Sequence, residues 1–388
     1  MHVLITSIID LEKTSYSRLH HFIDHLLKKG HRVSVISIRD TWKHKGLKQN
    51  QELASKIDIH YVTDKNLGVL MQKGKAFLLT RMLLQGINLS SVDIHLAYNS
   101  LIISNRIANA LKKRGICTVY DLADDIPEMV ATNPQIPKVL WPVAGINSRR
   151  MLEKNLKLSS HVTISAKEFL TNMGIKRYAH TYIPNGVNLE MFKPARDGRK
   201  VKDRQDIVVG YLGALREWVD LRPMLLGIKA SEDHKIKVLV VGGEEDLPRY
   251  KGFVSENKMG DIVTFTGNVP YKEVPSYIHQ MDICTMPFRK NRVTDGTCPL
   301  KLLEYLACEK PAICSRLNET RTILGDMVLY ADTPEEWKKQ IQRLAEDPGL
   351  RQKMGKEARA YIQKNFEWKR LCQKMEDVLK KYSREKSG

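Results

Sequence analysis

Residues 2–38 read HVLITSIIDLEKTSYSRLHHFIDHLLKKGHRVSVISI. An unbroken apolar run, HVLITSII, is followed by SYSRLHHFIDHLLKKG, whose apolar residues fall at helical spacing, and then by a second apolar run, HRVSVISI. Strands this apolar throughout have no solvent face, so they belong to a parallel sheet covered by helices on both sides. Outward from this unit, IDIHYV (57–62), VDIHLAY (92–98), ICTVYDL (116–122), HVTIS (161–165) and HTYIPNGV (180–187) read as further strands of the same sheet. The segment PARDGRKVKDRQD (194–206) has no periodicity and reads as a linker or surface loop. The pattern then restarts with DIVVGYLGAL, IKVLVVGG, DIVTFTGNV, DICTMPF and KPAICSRL, separated by helical stretches. The expected architecture is α/β, with two tandem Rossmann-like, doubly wound domains facing a cleft. Expected boundaries are 1–190 for the first domain, 191–206 for a linker, 207–370 for the second domain and 371–388 for a C-terminal helix or tail.

At 388 residues the chain suits two domains better than one. No window approaches 18 uninterrupted apolar residues, so no transmembrane helix is expected. The opening MHVLITSIID lacks a basic region before its short apolar run and reads as a strand, not a signal peptide. Six scattered cysteines with no CxxC pair suit a reduced, cytoplasmic protein without a zinc site. The net charge of +19 admits nucleic acid, an anionic membrane, an anionic small molecule or plain solubility as its reason.

Ligands of open parallel sheets sit beyond the strands' C-terminal ends, where helix N-termini offer free N–H groups. That directs attention to the turn at Gly213, the loop Gly267–Asn268–Val269, and FRKNRVTDGTCPLKLLEYLA (288–307). In the last, Asp295, Gly296, Thr297, Cys298 and Pro299 lead into a helix beginning near Leu300, so N–H groups from Thr297 to Leu300 form a candidate anion seat. Lys301 adds a cation suited to a diphosphate, and Glu304, one turn on, suits the paired hydroxyls of a ribose. The alternative is an ordinary i,i+3 ion pair between Lys301 and Glu304.

PLKLLEYLACEKPAICS (299–315), YIPNGVNLEMFKP (182–194), GYLGALREWVD (210–220) and VTFTGNVPYKEVPSYIHQMDICTMPF (263–288) together resemble the retaining, nucleotide-sugar-dependent glycosyltransferases of the GT-B fold, glycosyltransferase family 4. The resemblance implies transfer of a sugar from a UDP- or GDP-sugar to an acceptor hydroxyl, in glycolipid, polysaccharide or glycan-precursor assembly. Glu304 matches the second glutamate of the family's E-x7-E motif, and the first falls on Gly296. Asp295, or N–H groups at 296–298, stand in for it. The family's basic pair falls on Ala214 and Asp220, which leaves Arg216 with Lys301 for the diphosphate and Arg222 and Arg292 as weaker candidates. Leu302 lies between the two matched positions of the motif, and Glu309 stands where the family has a helix-ending glycine. The glycine-rich loop after the first strand is absent from SIIDLEKTSYSR. At the position of a family histidine near the transferred sugar stands YDLADDIPE, with Asp121, Asp124 and Asp125 as carboxylates for sugar hydroxyls or the acceptor proton. The alternative for Asp124 or Asp125 is a helix cap.

No Asp-x-Asp sequence occurs in the chain, so no metal is expected on the diphosphate and no cofactor beyond the sugar nucleotide itself. A catalytically silent scaffold or partner subunit is the alternative, with a nucleotide-sugar epimerase behind it. The basic excess is larger in residues 1–190, at +11, than in 191–388, at +8. It includes two basic and apolar stretches, 68–89 (with Lys73, Lys75 and Arg81) and 138–158. The first suits a helix on an anionic bilayer or a grip on a lipid-linked acceptor, peripheral to the inner membrane face; the alternative is core packing with a solvated basic face. Nucleic acid is not an expected partner, because the basic residues are dispersed. His21 and His25 have the i,i+4 spacing of a metal pair, but His20, His21 and His25 read rather as surface or acceptor-facing, and Trp218 as packing on the donor-domain core or shaping the cleft.

Overall fold

A computed structural model describes the chain except for residues 15, 40–49, 63–74, 76–79, 81, 132–135, 196–205, 233–234, 244–245 and 385–388. Lys73, Arg81 and most of the linker therefore lie outside the described residues.

The first unit comprises Met1–Pro184 and Lys369–Gly388. Its seven parallel strands are β1 (His2–Thr6), β2 (Arg32–Ser37), β3 (Asp58–Tyr61), β4 (Ile94–Tyr98), β5 (Thr118–Leu122), β6 (His161–Ile164) and β7 (His180–Tyr182). They lie in the order β3-β2-β1-β4-β5-β6-β7. Winding reverses between β1 and β4, so the loops after these strands part at that point. Val3, Leu4, Ile5, Ile94, Leu96, Val119 and Tyr120 are fully buried, which is why the strands are apolar on both faces.

The second unit, Asn185–Trp368, holds six parallel strands. These are β8 (Ile207–Leu212), β9 (Ile236–Val241), β10 (Val263–Gly267), β11 (Ile283–Met286), β12 (Ala312–Cys314) and β13 (Leu329–Tyr330). Their order is β10-β9-β8-β11-β12-β13, with the switch point between β8 and β11. Helices Arg222–Lys229 and Pro334–Glu346 meet at Gly227, where a Cβ would come within 2.5 Å of the Pro334 carbonyl oxygen.

Two features of this frame go beyond the sequence reading. Residues 369–388, expected from 371 on as a separate C-terminal helix or tail, belong to the first unit. The helix Trp368–Tyr382 packs on the first unit because Glu376, buried, takes hydrogen bonds from His25 at 2.8 Å and His31 at 2.9 Å, with Lys380 at 2.6 Å. His25 thus has an acidic partner 351 residues away, and the fully buried His20 caps its own helix from Ser17 instead of facing solvent or acceptor. Burial alone would raise the Glu376 carboxyl, but hydrogen bonds from Lys380, His31 and His25 hold it at about 2. With the folded value below the ordinary 4.5, this carboxylate stabilises the fold above that pH. The contribution, about 3 kcal/mol, is lost as pH falls through about 2. Glu376→Ala should remove about that much at neutral pH and flatten the acid limb, as read by urea unfolding against pH.

The second feature is Glu309. It follows the helix Leu300–Ala307 with φ +58°, while Lys310 N–H bonds Tyr305 O at 3.1 Å and Glu309 N–H bonds Leu306 O at 3.1 Å. That is a Schellman turn, which needs a left-handed residue and favours glycine. Glu309→Gly should relieve the strain and raise stability by about 1 kcal/mol, measured as a higher Tm.

Candidate functional site

The second unit brings three strand-end loops together. Gly213 N–H bonds Val241 O at 2.8 Å, Leu215 N–H bonds Gly243 O at 2.6 Å, and Gly242 N–H bonds Gly267 O at 2.9 Å. Gly213 (φ +127°) and Gly242 (φ +117°) permit this weave, since a Cβ on Gly242 would lie 2.3 Å from Gly213 O. A Cβ on Gly213 would lie 2.7 Å from Lys301 Nζ, so the loop after β8 runs directly against that cation.

Lys301 stands at the start of the helix Leu300–Ala307, which no side chain caps. Its ammonium donates to the Tyr211 hydroxyl at 2.8 Å and lies over the rings of Tyr211 and Phe288, 4.4 Å and 5.0 Å from their centroids. Among the described residues it joins no ion pair. Glu304, buried, instead accepts from the Tyr271 hydroxyl at 2.7 Å. The simple i,i+3 ion pair is therefore not formed: cation and carboxylate occupy separate seats. Burial pushes the Lys301 ammonium down to about 7, partly opposed by the Glu304 charge. Burial likewise pushes the Glu304 carboxyl up to about 7, against the Tyr271 hydrogen bond and the Lys301 charge. An entering anion beside Lys301 restores its proton, and two hydroxyls can replace Tyr271 on Glu304.

The other sequence candidates fall less evenly. Thr297 N–H is consumed by Thr294 O at 3.2 Å and Leu302 N–H by Pro299 O at 3.2 Å, so neither is free for an anion. The Leu302 side chain is core. Asp295 Oδ1 accepts from Asn318 N–H at 3.0 Å at the first turn of the helix Asn318–Leu324, so one oxygen of the candidate stand-in for the glutamate missing at Gly296 is engaged. Cys298 is buried, and its carbonyl accepts from Asn185 Nδ2 at 2.9 Å, which fixes the approach to Pro299. Arg216 lies half-buried, 5.8 Å from the Trp218 ring. Arg222 is held by Asp220 at 2.7 and 2.6 Å and Arg289 reaches the same carboxylate at 3.3 Å, so Arg222 neutralises Asp220. Asn268 is exposed and Val269 half-buried in the loop after β10, directly before Pro270 and Tyr271. The sequence reading missed Tyr211, Phe288 and Tyr271; an aromatic pair flanking a lysine leaves no local signature when it comes from two different strands.

In the first unit the three aspartates separate. Asp121, at the end of β5, is fully buried; Arg18 holds both its oxygens at 2.9 Å and Thr163 donates at 2.6 Å. Arg18 also donates to Pro184 O at 2.8 Å, so this pair ties helix Arg18–Lys28 to the sheet. Asp125 caps the helix Ile126–Ala131 through Glu128 N–H at 3.1 Å, as the alternative reading had it. Asp124 alone is exposed. Asn99, in the left-handed region at φ +48°, donates to its carboxylate at 2.7 Å and accepts from its N–H at 3.1 Å. Among the described residues no group of three or more His, Cys, Asp or Glu is placed to hold a metal ion, and no helix is long and apolar enough to cross a membrane.

Two parallel sheets of seven and six strands, each wound in both directions about one switch point, define the GT-B fold. Residues 193–361, within the second unit, match the family model of Glycosyl transferases group 1. The chain is 24% identical to an uncharacterized glycosyltransferase of Methanocaldococcus jannaschii over 232 residues, 57% of each chain. It thus spans little more than half the length of that relative. Sucrose-phosphate synthase from Thermosynechococcus elongatus superposes with a TM-score of 0.76 at 15% identity, covering 98% of both chains. The Anabaena protein HepE, solved with UDP and glucose, superposes with a TM-score of 0.70 at 15% identity, covering 98% of this chain and all of that one.

Proposed function

We propose that this protein is a glycosyltransferase that moves a sugar from a nucleoside-diphosphate donor to an acceptor hydroxyl with retention of configuration. The observation that carries this reading is Lys301: among the described residues, a desolvated cation without a carboxylate partner, at a helix start that no side chain caps, one turn before a carboxylate that accepts a hydrogen bond from a displaceable tyrosine. A diphosphate between Gly213 and Lys301 supplies the missing countercharge, and Glu304 takes the ribose hydroxyls. As the glycosidic bond breaks, negative charge grows on the departing diphosphate. Lys301 and the helix N-terminus stabilise it there without a metal. The departing phosphate oxygen then accepts the acceptor's proton on the same face of the sugar. Asp124, held by Asn99, is assigned to the acceptor. The glycosyltransferase group 1 domain and the UDP in HepE support a nucleotide-sugar donor, and a lipid-linked or saccharide acceptor follows from the glycolipid and polysaccharide context of the motif resemblance.

A screen of UDP, GDP and their sugars by thermal shift and calorimetry tests the reading. Stabilisation by one base family, lost in Glu304→Ala, is the expected result; no stabilisation by any of them refutes it. One observation favours a catalytically silent form: Gly296 and the engaged Asp295 leave the donor sugar without the motif's first carboxylate. Transfer to extracted lipids, compared with donor hydrolysis, separates the two.

A further inference from the structure

Exposed large apolar side chains concentrate on one part of the first unit. Val139 is 82% exposed, Leu140 49%, Val143 56% and Ile146 51%, with Met129 at 41% on the helix alongside. Leu140 closes a short 3-10 turn, Lys138–Leu140, that runs straight into the helix Trp141–Leu158. Positions 139, 143 and 146 therefore share one stripe, and position 150 continues it a turn further. The stripe is not core: the opposite side of the same helix buries Gly145, Leu152 and Leu156. At Gly145 a Cβ would lie 3.0 Å from the Ala131 Cβ, so the helix Ile126–Ala131 packs closely there and brings Met129 alongside.

The flanks of the stripe are basic. Lys138 precedes it, Arg150 and Lys154 extend it, and all three are exposed. None is in an ion pair with a described residue, whereas the acidic Glu128 is held by Arg149 at 3.0 Å and Glu153 by Lys157 at 3.0 Å. Trp141 sits half-buried at the head of the helix with its indole N–H on Ile136 O at 2.7 Å, an aromatic at the apolar-to-polar boundary. The helix runs back from the end of β5 to the start of β6, so its exposed N-terminal half lies at the sheet edge that also carries Asp124.

We propose that Val139, Leu140, Val143 and Ile146, with Met129 beside them and Lys138 and Arg150 at the ends, dock this unit on an anionic lipid surface. Shallow insertion removes the apolar stripe from water while the cations meet headgroup phosphates. Charge complementarity selects this occupant over a second copy of the chain, whose own basic rim would repel. Docking does not depend on sugar transfer, and its failure would leave the donor site untouched.

The test is co-sedimentation of the full chain with phosphatidylcholine vesicles, with and without phosphatidylglycerol, in the absence of nucleotide. Binding is expected only to the anionic vesicles. Combined Val139→Glu, Val143→Glu and Ile146→Glu should weaken it by about tenfold or more. Lys138→Ser and Arg150→Ser should weaken it about fivefold each, with less dependence on phosphatidylglycerol. Because the altered side chains are exposed, thermal unfolding should not move. Should the triple variant fail to fold, a polarity-sensitive dye on Val143→Cys gives a second reading: a blue shift on anionic vesicles supports docking and an unchanged spectrum overturns it. The proposal also falls if the wild type ignores anionic vesicles, or if the glutamates leave binding intact while dissociating a dimer.

Discussion

Lys301→Ala is expected to weaken nucleoside-diphosphate binding by about a hundredfold while leaving the protein at least as stable as before. A charge-assisted hydrogen bond to a diphosphate in a desolvated seat contributes about 1.5–3 kcal/mol, the source of that factor. The stability half of the expectation follows from the free protein, where the ammonium meets the Tyr211 hydroxyl and two aromatic faces and, among the described residues, no carboxylate. The sign with pH is fixed by the lowered Lys301 value. Only the protonated lysine binds the anion, and the free protein releases that proton near 7. Affinity for a sugar nucleotide, which has no titrating phosphate in this range, should fall up to tenfold per pH unit above that value. Lys301→Ala should abolish the slope along with the binding. Calorimetry at three pH values reads both effects. A pH-independent affinity retained in the variant would remove Lys301 from the donor site.

Asp121→Ala should cost about 4 kcal/mol of stability, because it strands the buried Arg18 guanidinium without its carboxylate. Asp124→Ala, at an exposed position, should change stability little and lower kcat by about a hundredfold or more if its carboxylate serves the acceptor. Two aspartates three residues apart, one at the end of β5 and one in the loop after it, are thus expected to divide into a structural and a functional role. Denaturant unfolding and initial rates on both variants test the division. A stable Asp121→Ala that is inactive would return that carboxylate to the chemistry.

Much of the fold was legible because its signals are local. Apolar strands alternating with periodic helices require only neighbours in sequence, and they identify two parallel sheets before any contact is known. Lys301 and Glu304 were legible for a related reason: one helical turn fixes both at the start of the same helix. The failures have one cause. Asp121 resembled a site residue until Arg18, 103 positions away, was found on both its oxygens. Asp295 looked unengaged until Asn318 N–H was found on one of its oxygens. His25 looked unpartnered until Glu376 came back across the chain. Whether a polar side chain is available depends on what desolvates and hydrogen-bonds it, and those partners come from remote segments.

The amino-acid sequence by itself determined two doubly wound α/β halves, the lysine and glutamate on the helix after β11, and the strand-end loops around them. Periodicity and helix geometry act over a few residues, so they are written in consecutive positions. Only the tertiary structure decided that Lys301 faces Tyr211 and Phe288 instead of Glu304, that Asp124 and not Asp121 keeps an exposed carboxylate, and that the last helix belongs to the first unit. Burial and long-range pairing set those outcomes, and neither is a property of a residue's neighbours in sequence.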